Sequence, residues 1–237
     1  LCPYDDDPYE HLRRVVARRF VDGLVISATQ RHDRRIDWLI EREIPFIALG
    51  RSLSGGTHSW IDLDFEGIAD TAIDRLVANG HRRIGLINSA SEINLGYVFA
   101  EAYRAALARH AIPFDPDLVV RANHTSEEGG YAGMEQLLAL AERPTAVLLV
   151  NEIMAIGVYR RLHDAGLMPG RDVAVIGQRQ SPQSRFLLPR LTSFDVDLFA
   201  LGRRLAEGLL ATMPAYRDAY PVGPVQDIWP MPLVPGE

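Results

Sequence analysis

The sequence predicts an α/β chain with parallel sheets and helices on both sheet faces. Two observations carry that reading. Apolar runs of strand length alternate with amphipathic runs of helix length over most of the chain. The apolar runs are also continuous rather than alternating, the pattern of strands covered on both faces.

Taken in order, the strand runs are Gly23–Ser27, Phe46–Leu49, Trp60–Leu63, Ile84–Asn88, Leu118–Arg121, Ala146–Val150, Val173–Gly177 and Leu191–Phe194. Between most of them lie helical stretches: Arg34–Glu43, Glu66–Asn79, Leu95–His110, Glu127–Glu142, Ile153–Ala165 and Leu198–Thr212. Asn79-Gly80, Ala165-Gly166 and Pro214 are helix-end signals. The number of such units predicts two similar lobes. Polar, loop-like stretches at Ser89–Asn94, Ser181–Arg190 and Ala215–Val225 are candidate crossings between them.

Composition narrows the function classes. The 237 residues are 47% hydrophobic and carry a formal net charge of -6, enough for a real core but not for a polyanion-binding surface. Every basic side chain other than histidine is arginine, in pairs scattered along the helices, such as Arg82-Arg83 and Arg203-Arg204. A nucleic-acid surface needs a concentrated basic face, and none is visible. No apolar run reaches the roughly 18 residues of a membrane span, and no signal peptide is apparent. The one cysteine, Cys2, excludes a disulfide within the chain and suggests a reducing compartment. The opening "LCPYDDDPYEHL" reads as a strand end followed by a loop, as in a fragment whose upstream part is missing.

Catalytic signatures are largely absent. There is no G-x-S-x-G elbow, no P-loop and no G-x-G-x-x-G fingerprint. The run "SLSGG" at 52–56 reads as a flexible loop rather than a phosphate cradle. His32, His58, His81, His110 and His124 are isolated, without zinc-site spacing. The aspartates Asp5–Asp7 read as a solvated loop, since no further oxygen ligands follow at loop spacing. In open α/β sheets, ligands lie beyond the carboxyl ends of strands. That rule selects Thr29, Arg51, Asp64, Ser89–Asn94, His124-Thr125, Asn151-Glu152 and Gln178–Gln180. Asn151 either caps the helix that follows it or offers its amide to a ligand.

The stretches "VDGLVIS" (21–27), "NGHRRIGLI" (79–87), "RPTAVLLVNEIMAIGVYRRLHDAGL" (143–167), "DVAVIG" (172–177) and "LPRLTSFDVDLFALGRRLAEGLL" (188–210) occur in one order and spacing. Together they resemble the LacI-type transcriptional regulators, from about Val21 onward. The resemblance implies two Rossmann-like lobes of periplasmic-binding-protein type, joined by three crossing strands. It places 1–88 plus 194–214 in the N-terminal lobe and 89–193 plus 215–237 in the C-terminal lobe. It also implies an effector bound in the cleft between lobes, a homodimer, and a DNA operator met only through a missing N-terminal segment.

Carried over by motif, Asn151-Glu152 stands at the family's strand-end "ND", so Asn151 is the expected ligand contact. The family's arginine before a Gly-aromatic pair falls on Phe99, before Ala102-Tyr103, and its pocket aspartate falls on Arg179. A guanidinium there calls for a planar acceptor, either Glu152 or an acidic or phosphorylated effector met with help from Arg51. Phe99 and Tyr97 are either a stacking wall for a sugar ring or simple helix packing. Asn94, His124, Thr125 and Gln178 complete the candidate set. The expectation is therefore the effector-binding and dimerisation core of a cytoplasmic, sugar-responsive transcriptional regulator, with no cofactor, metal, membrane contact or catalytic role. The alternatives are a periplasmic sugar-binding protein of a transporter and, further off, an α/β enzyme using Glu152 or His124 as acid or base.

Overall fold

A computed structural model describes residues 7–18, 21–179, 181–216, 218–220 and 223–236. Cys2, Asp5, Asp6 and Gln180 lie outside the described residues.

The chain divides into two compact α/β units. Unit one comprises Leu1–Leu63 and Asp197–Trp229, and unit two comprises Asp64–Val196 and Pro230–Glu237, so the chain passes between them three times. Unit one holds the helices α1 (Pro8–Ala17), α2 (Arg34–Glu41) and α7 (Leu198–Thr212) and the strands β1 (Leu24–Ile26), β2 (Phe46–Leu49), β3 (Trp60–Leu63) and β9 (Gln226–Trp229). Its sheet runs β1-β2-β3-β9, and every neighbouring pair is parallel. Unit two holds the helices α3 (Phe65–Ala78), α4 (Asn94–Arg109), α5 (Glu127–Leu138) and α6 (Met154–Asp164). Its main strands are β4 (Ile84–Ser89), β5 (Val119–Ala122), β6 (Ala146–Leu149) and β7 (Ala174–Gly177), ordered β5-β4-β6-β7 and again all parallel. The short strands β8 (Ser193–Phe194) and β10 (Leu233–Val234) form an antiparallel pair in the same unit.

The central strands explain the continuous apolar runs. All six residues of β4 and all four of β6 are buried, because helices cover both sheet faces. Helix starts follow side-chain chemistry: Asp33, Asp64, Ser126 and Asp197 each accept a backbone N–H of the helix they open. Helix α3 stops at Asn79-Gly80, where Gly80 takes φ +89°, as the sequence predicts.

Helices α5 and α6 pack so closely that a Cβ on Gly157 would overlap the carbonyl oxygen of Glu127. Glycine is there for close approach, not for a turn.

Three expectations change. Residues 8–17 are a helix rather than a loop. Asp7 caps it, Pro8 supplies a fixed φ in its first turn, and Leu12 joins Ile36, Leu39 and Phe46 in the core. The tail supplies an edge strand, β9, that composition did not reveal: an edge strand covers little apolar surface and reads as polar. The unit boundaries also move, to 63/64, 196/197 and 229/230 instead of 88, 193/194 and 214. The reason is pairing. β4 is hydrogen-bonded between β5 and β6, α3 packs on α4, and β9 pairs with β3. The "SLSGG" loop is tied down rather than free: the Ser54 hydroxyl accepts the Asp33 N–H at 2.7 Å, and Leu53 N–H bonds Arg31 O at 2.8 Å.

Candidate functional site

Parallel strands bring all their carboxyl ends to one edge of each sheet. In unit one that edge carries Thr29 beyond β1 and Arg51 beyond β2. Thr29 is 2% exposed and donates its hydroxyl to the Arg51 carbonyl at 3.3 Å. Gly50, at φ +112°, permits this, because a Cβ there would overlap the Thr29 hydroxyl. Arg35 holds the preceding turn, donating to the Ser27 and Ala28 carbonyls and to Asp33. Burial alone would raise the Asp33 pKa, but the Arg35 contacts and the Gln30 and Arg35 backbone N–H groups together bring it below the ordinary carboxylate value.

Arg51 donates from Nε to Asp62 Oδ2 at 2.7 Å. The Asp62 side chain is 5% exposed against 26% for Arg51. Burial pushes the Asp62 pKa up, and Arg51 only partly offsets it. Asp62 escaped the sequence reading. Its signal was there: a carboxylate in the middle of an apolar strand, "WIDLD".

In unit two the edge gathers more of the candidate set. Buried Asn88, at the end of β4, donates to the Gly96 carbonyl at 2.7 Å and accepts the Ser89 N–H at 2.9 Å, fixing the turn into α4. Asn94 is buried in the first turn of α4. Tyr97 hydrogen-bonds Glu92 at 2.7 Å, and that bond raises the phenol's pKa despite an opposing hydrogen bond from Arg121. His124 is exposed and Thr125 half-buried beyond β5. Asn151 accepts the Ile153 N–H at 3.1 Å through Oδ1, so it opens the turn into α6; its amide nitrogen is not engaged in that bond.

The arginine at the end of β7 has a partner. Arg179 donates from Nη2 to Glu152 Oε1 at 3.0 Å. The Glu152 side chain is 7% exposed and that of Arg179 33%, so one member is buried and the other is half open. Gln178, beside it, is buried.

Two candidates do not stand at the edge as expected. Asp64 spends its carboxylate capping α3, accepting the Gly67 N–H at 2.9 Å. Phe99 is fully buried in the core of unit two, on the inner face of α4, so it is no wall for a ligand. The helical period explains it, since Phe99, Ala102, Tyr103, Ala106 and Leu107 share the buried stripe. Among the described residues, no group of three or more His, Cys, Asp or Glu side chains is placed to hold a metal ion.

The class of protein follows from this fold and edge: a ligand-binding α/β chain of two units. Residues 73–237 match the family model described as a periplasmic binding protein-like domain, and the chain belongs to that family. Within it, the resemblance to LacI-type regulators holds. The chain is 30% identical over 235 residues to the HTH-type transcriptional regulator AglR of Rhizobium meliloti, covering 97% of this chain and 64% of that protein. It thus spans just under two thirds of that relative's length. Among solved structures it is similar to a regulatory protein of the LacI family from Chloroflexus aggregans, at 27% identity and TM-score 0.84, covering 99% of this chain and 83% of that one. It is also similar to the transcriptional regulator CelR in complex with cellobiose, at 28% identity and TM-score 0.87, covering 97% of this chain and 69% of that one. No described helix is long and apolar enough to cross a membrane.

Proposed function

We propose that this chain is the effector-binding and dimerisation core of a sugar-responsive transcriptional regulator, and that it reads its effector at the carboxyl ends of its strands. The observation that carries the reading is that each unit offers an arginine–carboxylate pair there, Arg51–Asp62 in unit one and Arg179–Glu152 in unit two. Such pairs present donors and acceptors side by side with their charge already balanced, which suits the hydroxyls of a neutral sugar. The cellobiose complex of CelR supports the same ligand class. Thr29, Asn94, Tyr97, His124, Thr125, Asn151 and Gln178 are the further polar contacts proposed. Asp64 and Phe99 act through the fold instead.

The resemblance supplies the rest of the mechanism. One effector engages both units and favours one arrangement of them, and a homodimer in the cytoplasm passes that preference to operator DNA through a segment outside this chain. A ligand can shift such an equilibrium only by its difference in affinity for the two states, typically about 1–3 kcal/mol.

A second reading, an acidic or phosphorylated sugar, draws on one feature. Arg179 meets Glu152 through Nη2 alone and is a third exposed, so its fork has donors left for an anion. Because Glu152 already balances that charge, the neutral sugar is favoured. A thermal-shift screen of neutral mono- and disaccharides against sugar acids and sugar phosphates decides. The expected result is stabilisation by a neutral sugar, weakened by Arg51→Ala and by Arg179→Ala. Stabilisation by acids alone would establish the second reading, and stabilisation by no sugar would overturn both.

A further inference from the structure

We propose that unit one carries a second small-molecule site at the amino end of its sheet, where His58 reads a small, uncharged aromatic compound. The site is a cavity of about 610 Å³ lined by Leu39, Ile44, Phe46, His58, Thr212 and Pro224, among others. That volume lies within the usual range of small-molecule pockets, about 300–1,000 Å³.

Its position separates it from the strand-end edge. Phe46 opens β2 and His58 precedes the start of β3, so both lie at the amino ends of strands whose carboxyl ends lead to Arg51 and Asp64. Strands of four residues at about 3.3 Å each keep the two places roughly 13 Å apart along the sheet. The proposal therefore does not rest on the sugar reading.

His58 gives the site its chemistry. The residue is 7% exposed, and among the described residues neither ring nitrogen has a hydrogen-bond partner. Buried polar groups nearly always have one, so an imidazole held in a cavity wall with both nitrogens unengaged points to a partner supplied from the cavity. The ring is fixed by stacking on Phe46, with centroids 5.5 Å apart and planes 25° apart. Burial depresses the His58 pKa below the ordinary imidazole value; the Gly56 backbone and the Asp33 and Asp37 carboxylates act against it without prevailing. The ring is thus neutral at pH 7, with one N–H to donate and one nitrogen to accept. Its complement is a group that also donates and accepts, such as a carboxamide or a ring N/N–H pair. The apolar walls and the Phe46 face suit a flat aromatic body. Glu43, exposed on the lining, and the Asp33 and Asp37 fields disfavour an anion.

The test is proton–carbon NMR of histidine-labelled chain titrated with benzimidazole, benzamide and benzoate at millimolar concentration, alongside thermal shift. Benzimidazole or benzamide should move the His58 ring signals in a saturable way and raise the melting temperature, while benzoate should do neither. His58→Phe should weaken that binding by about tenfold, the worth of a buried hydrogen bond. Ala211→Leu, which fills the cavity from α7 without touching His58, should abolish it while leaving any sugar-induced thermal shift in place. Unmoved His58 signals, equal binding of benzoate, or binding indifferent to both substitutions would overturn the proposal.

Discussion

Replacing Arg179 with methionine isolates the worth of the Arg179–Glu152 pair. The Glu152 carboxylate is 7% exposed, and its guanidinium partner sits at 3.0 Å. Removing one member of a fully buried pair costs about 3–5 kcal/mol, because the other charge stays buried alone. Here the arginine side is 33% exposed. Water reaches the pair and screens it, which brings the expected loss for Arg179→Met to about 2 kcal/mol. Glu152→Gln keeps an acceptor and removes the charge, for a loss of about 1 kcal/mol. In the Glu152→Gln background the arginine no longer balances a buried charge, and Arg179→Met should cost only about 0.5 kcal/mol, a coupling of about 1.5 kcal/mol. Urea unfolding followed by circular dichroism measures the cycle. Trp38, Trp60 and Trp229 all lie in unit one, so tryptophan fluorescence reports the unit that carries no substitution. A coupling below about 0.3 kcal/mol would refute the reasoning, since sites that do not interact add to within that margin.

Further outcomes follow from packing and titration. Gly157→Ala forces a methyl into the Glu127 carbonyl where α5 meets α6 and should lower stability by about 1–3 kcal/mol in a melting experiment. Gly202→Ala should act in the opposite direction: it lies inside α7 with nothing within 4 Å of the new methyl, and helix propensity alone gives about 0.5–1 kcal/mol of stabilisation. Phe99→Ala should cost about 3–5 kcal/mol of stability by leaving a cavity in unit two; a large loss of effector affinity with unchanged stability would restore Phe99 to the binding edge. His58 and His81 both have pKa values lowered by burial from the ordinary 6.5. The unfolded chain then binds protons that the folded chain does not, so stability present above pH 6.5 declines as the pH falls through the interval below it. His58→Phe should flatten that part of a stability–pH profile.

The sequence by itself determined the alternation of strands and helices, the parallel sheets and the family resemblance. These are written in local periodicity and in end signals such as Asn79-Gly80, where each residue acts on its near neighbours. It also nominated the strand-end residues, because a parallel sheet places every strand's carboxyl end on one edge whatever the side chains do. Only the tertiary structure decided how those residues spend their groups. Arg179 closes on Glu152 across 27 positions of chain, Arg51 closes on Asp62, Asp64 turns to its own helix, and Phe99 points into the core. Pairing across the sheet likewise assigned α3, β4 and β9 to their units, against the boundaries that the resemblance suggested. His58 is the clearest case. In the sequence it is one isolated histidine among several, and only burial beside a cavity, stacked on Phe46, gives its ring nitrogens a purpose.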